Sequence, residues 1–212
     1  MDSRLSLVEL VVAVNDRFTL GGVGHGFGGA LALAYYIEEP RTTRDIDVNV
    51  SLPIERAQEV FAMMPPGVSC GEQDLEACRR DGQVRLWYGK PRDGTPIDIF
   101  FPQHRFHQSV ARDVTCHTFA RHGYLVPIIS AAHLAVFKVL FDRPKDWVDV
   151  AAMLAAGSVD IAETRYWLGE LLGEEQPRIA RFEDLAAEAA AGRVPRPGGE
   201  MDAPPVEWSG GL

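Results

Sequence analysis

The chain lacks several things, and each absence excludes a class. No apolar run among its 212 residues reaches the roughly 18 that a bilayer-spanning helix needs. Cysteine is scarce: Cys70, Cys78 and Cys116 form no C-x-x-C pair and leave one over. Neither a disulfide framework nor a cysteine-ligated zinc site is expected, and a reducing, cytoplasmic setting fits. No basic region followed by a long apolar stretch opens the chain, so no secretory signal is expected. Positive charge is in deficit, 21 Lys+Arg against 30 Asp+Glu, net -9. That excludes a protein that coats nucleic acid through a broad basic surface. The deficit is uneven: residues 1–130 carry 13 basic and 16 acidic side chains, residues 131–212 carry 8 and 14. The histidines (His25, His104, His107, His117, His122, His133) show no H-x-x-x-H or H-E-x-x-H spacing. Sequence spacing therefore supports no zinc or catalytic role for them.

What is present is a globular composition, 46% hydrophobic and 24% charged. Leu5 to Phe18 has helical spacing, and six of the eleven residues from Thr19 to Gly29 are glycine. A helix is expected over Ala30–Tyr36, ended by Pro40, and a strand over Asp45–Ser51. Glu55–Met64 reads as a helix, and Gln83–Tyr88 and Thr95–Phe101 as a hairpin around Gly89–Gly94. A short helix over His104–Arg112 and a strand over Val114–Phe119 follow. From Ser130 four helical patterns follow: Ser130–Phe141, Pro144–Ala156, Ile161–Leu172 and Arg178–Ala191. The expected organisation is an α/β part over 1–127, a helical part over 128–192 packed on it, and a Pro/Gly-rich tail over 193–212. Trp87, Trp147, Trp167 and Trp208 read as core or interface residues.

Asp45-Ile46-Asp47-Val48-Asn49-Val50-Ser51 alternates strictly. On a strand this puts Asp45, Asp47 and Asn49 on one face and Ile46, Val48 and Val50 on the other. The two carboxylates then lie roughly 6–7 Å apart on one side. They repel unless solvated or offset by a divalent cation, and oxygen ligands suit Mg²⁺ or Mn²⁺. A solvated edge strand is the plainer reading of D-x-D alone. Asp98 is an isolated charge in Pro96–Phe101, where Ile97, Ile99 and Phe101 share the opposite face. It is either a hydrogen-bonded core acid or strand-end residue, or a third ligand. If its strand neighbours the first, three carboxylates converge into a site of the phosphoryl-transfer type.

Gly28-Gly29 opens the Ala30 helix, and amides at such a turn either bind phosphate or merely let the chain bend. Neither G-x-G-x-x-G in a dinucleotide-binding context nor G-x-x-x-x-G-K-[ST] is matched. Arg41 and Arg44 precede the acidic strand and could meet phosphates or pair with the carboxylates, and Thr43 could orient the turn. Lys138 is a single cation within apolar Ala131–Phe141; it either snorkels to water or meets an anion. Asp146 and Asp149, at i and i+3, either orient Lys138 and Arg143 or form surface pairs.

Gly28-Gly29-Ala30-Leu31-Ala32, Arg41-x-Thr43-x-Asp45-x-Asp47 and the later Asp98 together resemble the nucleotidyltransferase superfamily. Lys138-x-x-x-x-Arg143-Pro144-Lys145-Asp146-x-x-Asp149 adds a motif of its AbiEii-type branch, which includes the MenT toxins of mycobacteria. The resemblance covers about residues 20–155. It implies an α+β fold: a mixed sheet flanked by helices, then a C-terminal helical bundle. It further implies Asp45, Asp47 and Asp98 as metal ligands and, with Lys138, as catalytic residues. Gly28, Gly29, Arg44, Lys138 and Asp146 would bind the nucleotide. The cofactor would be Mg²⁺ (or Mn²⁺) and the substrate an NTP. A tRNA acceptor end and a cognate antitoxin protein are implied partners, with no membrane. A small-molecule acceptor, as in antibiotic nucleotidyltransferases, or a non-catalytic binding protein of the same fold, are the alternatives. Toxin members often carry Ser or Thr where this chain has Ala30, so a hydroxyl contact to the phosphates is lost.

Overall fold

The alternation from Asp45 to Ser51 settles the centre of the molecule. Its apolar half must be buried, and a strand buried on that face needs partners on both edges. In the computed structural model, which describes residues 4–120 and 123–194, that strand is β2 (Ile46–Val50). Around it run α1 (Leu7–Leu20), β1 (His25–Phe27), α2 (Gly29–Leu33), a 3₁₀ turn over Ile54–Arg56 and α3 (Ala57–Ala62). Then come β3 (Val68–Ser69), α4 (Glu72–Asp81), β4 (Gln83–Tyr88), β5 (Thr95–Phe100), α5 (Arg105–Arg112), β6 (Thr115–Phe119) and β7 (Tyr124–Ile128). The helices α6 (Ala131–Phe141), α7 (Pro144–Ala155), α8 (Ile161–Leu172) and α9 (Pro177–Ala190) complete the described chain. His122, Trp208 and most of the 193–212 tail lie outside the described residues.

The strands form a seven-stranded mixed sheet in the order β3-β4-β5-β2-β1-β7-β6. β2 lies between β5, which is parallel to it, and β1, which is antiparallel. Ile46, Val48, Ile97 and Ile99 are fully buried on one face of this centre. The other face carries Asp47, Asn49 and Asp98. The architecture is therefore the α+β arrangement expected from the sequence.

Five elements differ from the sequence reading. The glycine-rich stretch contains a strand, β1, whose middle residue must be glycine: a Cβ on Gly26 would press into Val114 and Ile129. β7 contains Pro127, which reads as a breaker, yet it pairs with β6 and meets β1 only at Ile128. α4 buries only Cys78, so its polar sequence carries no apolar stripe. β3 is two residues long. The helix expected over Ala30–Tyr36 is regular only to Leu33. Beyond it, Tyr35 and Tyr36 donate their hydroxyls to the carbonyls of Thr118 (3.0 Å) and Ile129 (2.7 Å), which fixes the turn to the sheet edge.

The sheet and the helical half share one continuous hydrophobic core. Phe106 of α5 is its joint: fully buried, with ring centroids 5.1 Å from Phe137 and 5.4 Å from Trp167. α5 itself packs on β1 and β2. Truncating this ring opens a cavity at the seam, which costs about 3–5 kcal/mol. We expect Phe106→Ala to lower the urea midpoint accordingly, with helix content and Trp167 fluorescence lost in one transition. Two separated transitions in the wild type would show that residues 1–127 and 128–192 fold independently.

Candidate functional site

The site begins with strand register. β2 and β5 run parallel with Asp47 opposite Asp98, so two carboxylates on adjacent strands face the same side. Asp45, one residue before β2, adds a third. Thr43 fixes this entry: its hydroxyl accepts the Asp45 N–H at 3.2 Å. Burial pushes the Asp47 carboxyl up to about 6, with Asp98 and then Asp45 adding to the shift, while Lys138 and Arg143 oppose it. Negative charge is thus concentrated beyond what the fold itself neutralises.

One cation answers it from the sheet. Arg85 of β4 stands opposite Asp98 in the antiparallel register. It donates to both Asp98 oxygens (2.7 and 2.6 Å) and lies 3.8 Å from Asp45 Oδ2. Its hydrogen bonds with Asp98 hold the guanidinium still more firmly protonated. The three carboxylates are not drawn in to chelating distance. Among the described residues only Asp113, His133 and Glu163, away from this cleft, place three ligand atoms within 4.8 Å of one another.

The glycine turn closes the floor. The Gly28 N–H donates to the Asp47 carbonyl at 2.9 Å, so this amide extends the β1–β2 ladder and is not available to a phosphate. Gly29 has φ +54, and a Cβ there would overlap the Asp47 carboxylate. Only glycine lets the chain pass this close. Asn49 is buried beside them, and its amide oxygen has no hydrogen-bond partner among the described residues.

The facing wall comes from the helical half. Lys138 of α6 is only 4% exposed, so it does not snorkel to water. Its Nζ lies 2.5 Å from Asp149 Oδ2 and 3.8 Å from Asp146 Oδ1. Arg143 donates to Asp146 (2.6 and 3.2 Å) and Arg41 to Asp149 (3.1 and 3.4 Å). Asp146 and Asp149 are buried, and three cations surround them. Pro144 at the start of α7 frees the first turn from needing its N–H, so Asp146 sits at a helix N-terminus that favours its charge.

These two walls bound one open cleft, lined by Gly28, Gly29, Asp45, Asp47, Asp98, Lys138 and Asp146. Arg41, Thr43, Asn49, Arg85, Arg143, Lys145 and the rings of Phe100, Phe137 and Phe141 also line it. Arg44 is exposed and does not. The sequence pointed to neither Asn49 nor the aromatic lining as site residues. Arg85 carried one signal, its place among five basic residues between Arg79 and Arg92, but only the β4–β5 register shows which of them faces Asp98. The polarity is plain: carboxylates on the sheet wall, cations on the helix wall. The hard oxygen donors of Asp45, Asp47 and Asp98 fit a divalent cation such as Mg²⁺, and the raised Asp47 carboxyl marks the charge it would neutralise.

No protein-family model and no curated protein sequence matches the chain. Solved structures do match its fold. An antigenic nucleotidyltransferase-like protein from Paracoccidioides brasiliensis superposes with a TM-score of 0.52 over 89% of this chain and 95% of its own, at 16% identity. The lincomycin-bound lincosamide antibiotic adenylyltransferase LnuA gives 0.47 at 14% identity, over 71% of this chain and 98% of its own. The first of these likenesses shows a nucleotidyltransferase-like fold.

Removing one partner from a buried ion pair leaves an uncompensated charge, which costs about 3–5 kcal/mol. Lys138→Met should destabilise the protein by about 3 kcal/mol, the lower end because Arg41 and Arg143 still reach the two aspartates. Thermal unfolding of the variant measures this. A midpoint equal to wild type would mean that Lys138 is not needed to neutralise Asp146 and Asp149.

Proposed function

We propose that the chain is a divalent-metal-dependent nucleotidyltransferase that moves a nucleoside monophosphate from an NTP to an acceptor hydroxyl. The observation that carries this reading is the in-register Asp47–Asp98 pair facing a wall of Lys138, Arg143 and Lys145 across one cleft. A triphosphate with its metal has the complementary polarity. Asp45, Asp47 and Asp98 would hold the metal, which when bound supplies charge stabilisation for the phosphoryl group in transfer.

The chain's own residues then have separate tasks. Lys138 offers the ammonium hydrogens not used by Asp149 to the phosphates, and Arg143 and Lys145 add charge at the helix wall. Gly29 lines the cleft beside Asp47, and its amide would be the one free to meet a phosphate. Arg85 yields its hold on Asp98, which takes the proton of the acceptor hydroxyl. The acceptor oxygen bonds to the α-phosphorus, and the bond to the leaving pyrophosphate breaks.

The resemblance to AbiEii-type toxins makes an RNA 3′ end, in particular that of tRNA, the proposed acceptor, and a cognate antitoxin a proposed partner. One observation favours a second acceptor. The groove adjoining Asp98 is lined by Asp47, Asp74 and Asp81 as well, against Arg85 and Arg143, and this acidic excess suits a cationic small molecule better than a polyanion. The discriminating assay incubates the protein with Mg²⁺, each α-labelled NTP, and either total tRNA or an aminoglycoside. Label should pass to one acceptor and be lost, by about 10³-fold or more, in Asp47→Asn. Absence of transfer to either, together with equal NTP–Mg²⁺ binding by wild type and Asp47→Asn, would leave a non-catalytic protein of this fold.

Arg85 competes with the metal for Asp98 and Asp45. Arg85→Met should therefore lower the Mg²⁺ concentration giving half-maximal nucleotide binding, by about threefold to fivefold for a half-exposed ion pair worth at most about 1 kcal/mol. Calorimetric titration checks this; an unchanged or higher requirement would place Arg85 on the nucleotide instead.

A further inference from the structure

Away from the cleft, three segments distant in sequence meet at one point. Asp113 follows the last turn of α5, His133 is in the first turn of α6, and Glu163 is in the first turn of α8. Each offers one ligand atom, and these atoms lie within 4.8 Å of one another. His133 Nε2 is 3.3 Å from Glu163 Oε1 and 3.9 Å from Asp113 Oδ2. None of the three lines the cleft.

The decisive atom is His133 Nε2. The residue is fully buried, and this nitrogen has no hydrogen-bond partner among the described residues. The other ring nitrogen, Nδ1, lies 2.8 Å from Ser130 Oγ. Assigning the ring proton to Nδ1, donated to Ser130, leaves Nε2 as a bare lone pair aimed at two carboxylates. A buried polar atom without a partner is costly, and three electron-rich atoms facing one another make it more so. A cation between them removes both penalties.

We propose that Asp113, His133 and Glu163 bind a Zn²⁺ ion. An imidazole nitrogen with two carboxylate oxygens is a zinc-type set; Mg²⁺ and Ca²⁺ take oxygen alone. A tetrahedral site with bonds of about 2.0 Å has ligand–ligand edges of about 3.3 Å. The His133–Glu163 separation already meets this, and Asp113 needs only a small shift. Both carboxylates can make it, since each side chain is 36% exposed. Their exposed side also leaves a fourth position for water.

Outer partners are in place. Ser130 fixes the imidazole. Ser109 Oγ donates to Asp113 Oδ2 at 2.9 Å, and Arg112 donates to Oδ1 at 3.1 Å. Arg112 also reaches Oδ2 at 3.3 Å, but its side chain is 70% exposed, so solvent screens its charge. The ion would tie α5, which rests on the sheet, to α6 and α8.

The test is a Zn²⁺ titration of the full chain against a chromophoric chelator. With saturating Mg²⁺ present to occupy the cleft carboxylates, one equivalent should bind, and Glu163→Gln and Asp113→Asn should each weaken it by about tenfold or more. These side chains are partly exposed, so the variants keep the fold, whereas a substitution at fully buried His133 disturbs the core. Zn²⁺ at about a hundredfold over its Kd should raise the wild-type unfolding midpoint by about 5 °C, and leave Glu163→Gln unmoved. Co²⁺ in its place should give visible d–d bands with no thiolate charge-transfer band. Cys70→Ser with Cys116→Ser should bind as wild type. No equivalent bound at micromolar free Zn²⁺, binding unchanged in both carboxylate variants, or binding lost only with the cysteines would each overturn the proposal. None of these readouts depends on nucleotide transfer.

Discussion

Two carboxylates set opposite each other on adjacent parallel strands are the constraint on which the rest of this structure depends. Asp47 and Asp98 repel, and neither β2 nor β5 carries a cation of its own; the relief comes from Arg85 on the neighbouring β4. What holds them there is the reverse face. Ile46, Val48, Ile97 and Ile99 have no exposure at all, and a slip of one residue would turn this apolar face to the cleft and the aspartates into the core. Burial on one face therefore enforces like-charge proximity on the other. Burial pushes the Asp47 carboxyl up to about 6, the charges of Asp98 and Asp45 add to that shift, and an arginine is stationed across Asp98. Gly29 follows from the same crowding, because a side chain there would occupy the space of the Asp47 carboxylate.

The helical half answers with charge of the opposite sign, arranged so that burial is tolerable. Lys138, Asp146 and Asp149 are each nearly inaccessible, and any one of them alone would be prohibitive in that position. Together with Arg41 and Arg143 they form a chain of alternating sign, Arg41–Asp149–Lys138–Asp146–Arg143. Its ends are the more exposed members, so solvent helps where the chain stops. Because Arg41 lies in the segment leading into β2, the network also fixes the sheet wall relative to the helix wall. The acidic total of the chain, -9, thus conceals a cleft whose two sides differ in sign.

Much of this was legible in the sequence, and the failures have physical reasons. The Asp45–Ser51 alternation gave the strand, its faces and its two carboxylates, because period-two patterning is a direct image of the pleat. The four C-terminal helices were readable to within a residue or two because each has an apolar stripe and a cap or proline at its start. β1 was hidden because close packing against Val114 and Ile129 demanded glycine where strands usually carry branched residues. β7 was hidden by Pro127, and α4 by its lack of an apolar face. Register was not readable. The facing of Asp47 and Asp98, and the placing of Arg85 across them, depend on which strands neighbour each other, which no local pattern states. The same holds for Asp113, His133 and Glu163, whose spacings in the chain resemble no motif.

α6 links the two charged centres. It presents Lys138 to the cleft, and five residues earlier it presents His133 to α5 and α8. At about 100° per residue these side chains point roughly 140° apart, so one helix faces both sites with different sides. A buried lysine bonded to Asp149 needs its helix held in one rotation, since a small turn would separate the pair or expose it. Packing supplies part of that restraint: Phe137 sits against Phe106 between the two positions. An ion at the His133 end would supply the rest by fixing the first turn of α6 to α5, which lies on β1 and on β2, the strand that carries Asp47 and Asn49. The distance between the carboxylate wall and the cationic wall would then be set at the far side of the helix, where it interferes with nothing that enters the cleft.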